Sequence, residues 1–262
     1  MKTKRNVIGA SMVGLGTLGL ALGAPGMALA QGSGSTTYQA NLQPVPLNTP
    51  PGAASGTLTL VLTGNQAKIT ENVQGLGATF DGAPFPHVQH IHGDAQGVCP
   101  TAAADTNHDG VISTVEGLPS YGKILTTLSV SGSTAPSAGT DVKIAPTGSS
   151  FSYSRTITLD QATLNSIKDN NAVIVVHGLN PANAPAASLK EKSPLVPSLP
   201  LAATAPALCG KLVVSQMTAM PSAAPQTGGG STAGLQDGGL LGAGGALVLG
   251  GAGLLAYRRR LA

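Results

Sequence analysis

The residues best suited to chemistry lie close together in the stretch from Pro86 to Gly117. This stretch contains four of the five histidines, one of the two cysteines and the densest group of acidic side chains. The fifth histidine, His177, and the second cysteine, Cys209, lie far downstream. Imidazoles, thiolates and carboxylates bind metal ions, so metal binding is the first chemistry that the sequence suggests.

Two of these histidines, His90 and His92, have the spacing of neighbours on one face of a β-strand. Side chains at positions i and i+2 of a strand share a face, which would also carry Val88 but not His87. A third imidazole from a neighbouring strand would complete a copper or zinc site, and His177 ends a β-branched run typical of a central strand. The alternative is that the three histidines only form hydrogen bonds.

The acidic residues that follow have the spacing of a twelve-residue calcium loop. Its predicted ligands are Asp105, Asn107, Asp109, the carbonyl of Val111, Ser113 through a water molecule, and the bidentate carboxylate of Glu116. Gly110 allows the sharp turn, and His108 occupies a position that binds no metal and should be exposed. The loop resembles that of EF-hand proteins, but the residues on either side are poor material for helices. We therefore predict a lone structural calcium loop inserted between strands; the alternative is a metal-free turn.

Both ends of the chain carry signals for export and anchoring. Residues 1–30 have a basic start, an apolar run and a small-residue cleavage site at Ala28 to Ala30, which predicts a secretory signal peptide rather than a membrane anchor. Near the other end, the sequence APQTG at residues 224–228 precedes an apolar run from Gly239 to Tyr257 and three arginines. This run is about long enough to cross a bilayer, with the arginines on the cytoplasmic side.

The C-terminal layout resembles the cell-wall sorting signal of Gram-positive surface proteins, with Ala224 where leucine is usual. The resemblance implies that Thr227 becomes a new C-terminus joined to the wall; the alternative is a plain single-span membrane anchor. In both cases we expect an exported chain held at the cell surface by the wall or the membrane. No pattern in the sequence identifies a protein partner.

The exported part is weakly acidic, although the whole chain carries a net charge of +3. Six of the 14 lysines and arginines lie in the two end segments, and residues 31–227 contain 8 basic and 10 acidic side chains. Without a basic patch and with few aromatic residues, nucleic-acid binding is not expected. Two cysteines in an exported chain most simply form one disulfide, Cys99–Cys209, the alternative being two free thiols.

Alternating apolar and polar residues predict a series of short strands separated by turn-forming residues. The strands are expected near residues 56–63, 67–73, 88–92, 124–130, 151–159, 172–177 and 209–214, with one short helix, capped by Asp160, from Gln161 to Lys168. We predict a flexible lead-in at residues 31–55, a long surface connection at 179–207 and a linker at 219–238. Seven or eight strands with almost no helix predict an all-β fold, a Greek-key β-sandwich or barrel in one domain at residues 56–218.

Four short motifs together resemble the copper/zinc superoxide dismutase fold. The H-x-x-H-x-H at residues 87–92 matches a motif of that family, and residues 93–99 resemble the G-D-x-x-x-G-C stretch that follows it. The V-V-H at residues 175–177 and the L-C-G at residues 208–210 resemble the family's later copper ligand and its second cysteine. The resemblance implies that the second and third histidines of the motif and His177 bind copper, and that His87 supports these ligands without touching the metal.

Three features of that family are missing. No histidine follows Cys99 at the position of the family's metal-bridging histidine, and Pro206 stands where the family has the arginine that guides superoxide to copper. The other zinc ligands are also missing, because the predicted calcium loop occupies their region, so zinc is not expected. An enzyme without that arginine would lose electrostatic steering. The same stretches are similar to the CHRD domain of secreted proteins, which has a similar H-x-x-H-x-H and a late valine-rich strand ending in histidine, and no established reaction.

The sequence leads to two hypotheses of function. The one we favour is a non-catalytic, CHRD-like module at the cell surface, stabilised by calcium and able to bind copper through His90, His92 and His177. The alternative is a copper-only, superoxide dismutase-like enzyme in the same location. No G-x-S-x-G elbow or phosphate-binding loop indicates any other chemistry.

Overall fold

The alternation of apolar and polar residues builds an antiparallel sheet, which the computed structural model describes for residues 34–215. Its strands are β1 Ser35–Pro44, β2 Ser55–Thr63, β3 Gln66–Gln74, β6 Gln89–Gly93, β7 Lys123–Thr127, β8 Ser150–Thr158, β9 Val173–His177, β10 Pro206–Lys211 and β11 Val213–Val214, and a separate hairpin joins β4 Thr79–Phe80 to β5 Ala83–Pro84. The helices are α1 Thr114–Tyr121, α2 Gln161–Lys168, α3 Ala186–Lys190 and α4 Leu201–Thr204. The strand order is β7-β6-β9-β10-β1-β2-β3-β8, with β11 beside β1, and the sheet curls into a half-barrel. The predicted all-β class is confirmed.

The inner face of the curled sheet carries the main hydrophobic core. In β2 the buried residues Leu58, Leu60 and Leu62 alternate with polar ones, and β3 continues the pattern across the pair, with Ile69 opposite Leu60. Arg155 of β8 then draws the two edges of the sheet together. Its guanidinium donates to the carbonyl and the hydroxyl of Ser129, both at 2.7 Å, just beyond the end of β7. The half-barrel is thus stabilised by apolar burial inside and by the hydrogen bonds of Arg155 between its two edges.

A second, smaller core covers the outer face of the same sheet. Val173 and Val175 of β9 pack there with Tyr121 of α1, Ile112 and Cys209. The predicted disulfide between Cys99 and Cys209 is confirmed and lies at this outer core. Strand β9 is therefore buried on both faces, which explains its continuous apolar sequence.

The predicted flexible lead-in is corrected by the structure. Most of residues 31–55 that are described belong to the fold, because β1 pairs with β2 from Ser35 to Leu42 and meets β10 further along. Its alternate residues Tyr38, Ala40 and Leu42 are buried. The threonine, glutamine and proline content of this segment concealed a regular alternation.

Two further predictions are corrected by packing against the outer face. The acidic loop is followed by a helix, α1, although its sequence includes Gly117 and Pro119. The predicted surface connection at residues 179–207 contains α3 and α4 and lies over the sheet. By contrast, the predicted helix from Gln161 to Lys168 is confirmed with its Asp160 cap.

Several predictions concern residues outside the described range. The signal peptide, the linker, the sorting motif at Thr227 and the apolar C-terminal run all lie there. Within residues 34–215, no helix has the length and apolar character that crossing a membrane requires.

Candidate metal centre

Strand pairing brings the three histidines of the predicted copper site to one face of the sheet. Strand β6 runs antiparallel to β9 with His90 opposite Val175, and the His177 amide donates to the Val88 carbonyl at 2.9 Å. Because residues two apart on a strand share a face, His177 lies on the same side as His90 and His92. Ring centroids are 5.2 Å apart for His90 and His177 and 5.4 Å apart for His90 and His92.

Each of the three rings uses one nitrogen for a hydrogen bond to a backbone carbonyl. His90 Nε2 bonds the Gly139 oxygen at 2.9 Å, His92 Nδ1 bonds the Gly122 oxygen at 2.8 Å and His177 Nδ1 bonds the Thr204 oxygen at 2.8 Å. A carbonyl oxygen only accepts, so these nitrogens carry the ring hydrogens. The opposite nitrogen of each neutral ring is left with a lone pair, which is the form that binds a metal.

The opposite nitrogens are buried and have no partner among the described residues: Nδ1 of His90, Nε2 of His92 and Nε2 of His177. One ring nitrogen from each histidine lies within 4.8 Å of those of the other two. Ligands held at about 2.0–2.1 Å from one ion lie roughly 3.3–4.2 Å apart, so small ring movements bring all three to a single ion. Three imidazoles form a donor set that suits copper or zinc. The residues therefore fit a metal ion.

Burial keeps these rings in their neutral, metal-binding form. Removal from water lowers the pKa of His92 to about 3, with a further contribution from the neighbouring His177. Burial likewise lowers the pKa of His177 to about 4, and it holds the pKa of His90 well below its usual range. At physiological pH none of the three rings carries a proton that a metal ion would have to displace.

A narrow cavity of about 50 Å³ borders the three rings. Its other walls are almost entirely apolar: Pro86, Val88, Ile124, Val142, Leu195, Val196, Leu199 and Ala203, with Thr114, Gly139, Thr140 and Thr204 completing the lining. The segment that includes Leu195 and α4 forms one side of this cavity. The apolar residues within that proline-rich segment were the signal in the sequence that it covers a site.

Helix α1 positions two of the three histidines. Its Tyr121 ring lies edge-on to His92 at 4.7 Å, and the carbonyl of Gly122, which follows the helix, is the His92 partner. At the other end, the Thr114 hydroxyl donates to the Thr204 carbonyl at 2.6 Å, the same oxygen that accepts from His177. Sequence reasoning missed this helix, although Ser113 and Glu116 form the capping-box pattern that marks a helix start.

His87 contacts the site from the other side of the sheet. Its Nδ1 is 3.0 Å from the carbonyl oxygen of His177 and its Nε2 is 3.0 Å from that of Gly77. Gly178 makes room for it: its φ is +99°, and a Cβ there would lie 2.9 Å from the His87 ring. His87 thus touches the backbone of His177 and does not reach the three converging nitrogens.

The carboxylates of the predicted calcium loop form hydrogen bonds within the loop. Glu116 accepts from the backbone and hydroxyl of Ser113, at 2.9 and 2.8 Å, and from the backbone of Thr106 at 3.0 Å. Partial burial alone would raise the pKa of Glu116, but these hydrogen bonds hold it below its usual range. Asp105 accepts from the Gly110 amide at 3.0 Å. Within residues 34–215, the three histidines are the one group of three or more histidine, cysteine or acidic side chains whose ligand atoms converge.

The acidic loop has one carboxylate neighbour that the sequence did not indicate. Glu191, just after α3, lies beside Asp109. Partial desolvation, and then the charges of Asp109 and Glu116, raise its pKa. His108 is exposed, as its loop position predicts.

Comparison with known proteins leaves the family open. No family model matches the chain, and no curated protein matches it.

Proposed function

We propose that this domain is a metal-binding module of CHRD type at the cell surface, non-catalytic, that binds copper through His90, His92 and His177. One observation carries the proposal: three buried imidazoles, each with one ring nitrogen that has no hydrogen-bond partner in the described chain, have ligand atoms within 4.8 Å of one another. A buried polar atom without a partner lowers the stability of the fold. A ligand bound by all three nitrogens would remove this cost.

The cavity favours a binding module over a copper-only dismutase. Superoxide is an anion, and the described lining of the cavity contains no lysine or arginine to attract it. The position of the family's guiding arginine is Pro206 in this chain. Without a positive charge at the entrance, association loses the electrostatic steering on which fast anion turnover depends.

The proposal also includes a structural calcium ion in the acidic loop. The side chains that support it are Asp105, Asp109 and Glu116, whose spacing matches a calcium loop, together with Glu191 beside them. A cation there would relieve the repulsion between neighbouring carboxylates. Export, and attachment to wall or membrane, rest on the two end segments of the sequence.

The decisive experiment is the metal content of the full chain, purified without chelator and measured by mass spectrometry. We expect about one copper per chain after incubation with copper and removal of the excess. His177→Ala should lose it, whereas His108→Ala, which removes an exposed histidine outside the cluster, should keep it. Equal copper in both variants, or no copper in any of them, would refute the site.

Superoxide removal separates the two hypotheses of function. We expect the copper-loaded chain to show no activity above that of the same amount of free copper. Activity that is present in the wild type and in His108→Ala, and absent in His177→Ala, would instead support the dismutase-like enzyme.

A further inference from the structure

The histidine cluster offers a metal ion three ligands and no negative charge. His90, His92 and His177 are neutral, and no aspartate or glutamate lines the cavity in the described chain. An ion bound there keeps its full charge in an apolar surrounding. Because the cost of removing an ion from water rises with the square of its charge, a divalent ion costs about four times as much to bury as a monovalent one.

From this we infer that the site selects copper in its +1 state over divalent ions, and that the cavity admits a small uncharged ligand, of the size of carbon monoxide or dioxygen, to that ion. This inference rests on the proposed copper site and adds its oxidation state and the class of its second ligand.

The size of the cavity sets the upper limit for that ligand. One water molecule needs roughly 10–15 Å³ of such space, so about 50 Å³ accommodates only a few atoms beyond the metal. Drug-sized ligands occupy pockets of about 300–1,000 Å³ and are excluded.

The lining of the cavity sets the polarity of the ligand. Val196, Leu199 and Ala203 offer no hydrogen-bond donor, and the Thr114 hydroxyl already donates to the Thr204 carbonyl. Of the other two threonines of the lining, Thr204 donates its hydroxyl to that of Ser193 at 2.6 Å, and Thr140 is exposed. A two-atom neutral molecule has little hydration to lose on entering this apolar cavity.

Metal competition tests the first half of the inference. The metal-free full chain is titrated with Cu(I) without oxygen, and with Cu(II) and Zn(II), each against a chelator of known affinity. We expect Cu(I) to bind at least 100-fold more tightly than either divalent ion. Val196→Asp places a carboxylate in the wall and should shift the preference towards Cu(II) by tenfold or more, whereas Val213→Asp, at an exposed position outside the cavity, should not.

Ligand binding tests the second half. Carbon monoxide added to the Cu(I) form should give one C–O stretching band in the infrared. Ala203→Phe fills the cavity and should lose the carbon monoxide band while still binding Cu(I). Ala182→Phe, at an exposed position of the connection at residues 179–207, should keep both Cu(I) binding and the carbon monoxide band.

The outcomes distinguish this inference from the function on which it rests. A chain that binds no metal in any state refutes the proposed copper site. A chain that binds Cu(II) or Zn(II) more tightly than Cu(I) overturns the selectivity and leaves the metal site intact. Cu(I) binding without a carbon monoxide band overturns the assignment of the ligand.

Discussion

Glu71 is an acidic side chain inside the barrel. It occupies an inward position of β3 between Ile69 and Val73, and only 1% of it is exposed. Neither carboxylate oxygen has a hydrogen-bond partner of good geometry in the described chain, and Gln89 beside it donates one amide hydrogen to the Leu128 carbonyl at 3.3 Å. Burial therefore raises the pKa of Glu71 to about 8, with Gln89 opposing the shift only in part. The carboxyl group is protonated at neutral pH.

This burial predicts a specific pH dependence of stability. The folded state keeps the Glu71 proton up to about pH 8, whereas the unfolded chain loses it near pH 4.5. Between these values the unfolded state binds fewer protons, so the Glu71 contribution to the free energy of unfolding falls as pH rises. Glu71→Gln removes this penalty and should stabilise the protein by roughly 4 kcal/mol at pH 7.5 and by about 1 kcal/mol at pH 5.

Urea unfolding of the wild type and Glu71→Gln at several pH values between 5 and 8 checks this prediction. The buried histidines make the same pH-dependent contribution in both proteins, so the difference between them isolates Glu71. Asp81→Asn, at an exposed turn, is the matched acid-to-amide control outside the core. A constant difference for Glu71→Gln would show that this carboxyl group is not the one that titrates.

The sequence predicted the residues of the candidate metal centre better than their environment. Parity placed His90 and His92 on one face of a strand, because side-chain direction in a strand is fixed by the backbone, and the family resemblance suggested His177 as the third ligand. The carbonyls of Gly122, Gly139 and Thr204 could not be predicted, since their positions depend on how distant segments pack. Glu71 could have been noticed, because it continues the inward alternation of Ala67 and Ile69.

At the scale of elements, α1 joins the acidic loop to the histidines. Ser113 and Glu116 begin the helix by exchanging hydrogen bonds, and the same two residues end the predicted calcium loop. Sequence reasoning assigned them to calcium alone and excluded a helix because of Gly117 and Pro119. Tertiary packing overrides that weak propensity, since Tyr121 is fully buried against His92 and the outer core.

Calcium should stabilise this loop and helix together. At 10 mM calcium, a site with the affinity typical of extracellular modules adds roughly 1.4–2.7 kcal/mol to the free energy of unfolding. Glu116→Gln keeps an oxygen to accept the Ser113 bonds but weakens the ion's ligand set. We expect it to lose most of the calcium-dependent rise in melting temperature while changing stability in chelator by only about 1 kcal/mol.

Thermal unfolding in calcium and in chelator makes the comparison, with Asp169→Asn as an acidic substitution outside the loop. That control should show the full calcium effect. A wild type that melts at the same temperature in both buffers would remove the case for a structural calcium ion, and would leave Glu116 as a helix cap.

At the scale of the whole molecule, the site is assembled from segments that are far apart in sequence. The histidines come from β6 and β9, and their carbonyl partners lie at residues 122, 139 and 204. The all-β class was predictable because apolar and polar residues alternate within the sequence of most strands. The acidic loop, α1, α3 and α4 together form a cover over the outer face, and this cover could not be predicted. Its loops and short helices have no periodicity, and their packing against the sheet gives them structure.

The Cys99–Cys209 disulfide links this cover to the sheet across 110 residues of sequence. Cys209 lies in β10 between β1 and β9, and Cys99 precedes the acidic loop and α1. Closing a loop of that length restricts the unfolded chain, which in the chain-entropy model stabilises the fold by roughly 4–5 kcal/mol. The double variant Cys99→Ala/Cys209→Ala should therefore melt roughly 10–20 °C lower than the wild type.

Helix α1 positions His92 and His177, so loss of the disulfide should also weaken copper binding. The loss of affinity should exceed the loss that the lower free energy of unfolding alone would cause. Copper affinity of the double variant, measured well below its melting temperature, tests this link between the bridge and the site. We expect a drop of at least tenfold, since the Gly122 and Thr204 carbonyls would no longer hold the two rings in one orientation. An unchanged affinity in a destabilised variant would mean that strands β6 and β9 alone orient the ligands, and that the cover only shields them from water.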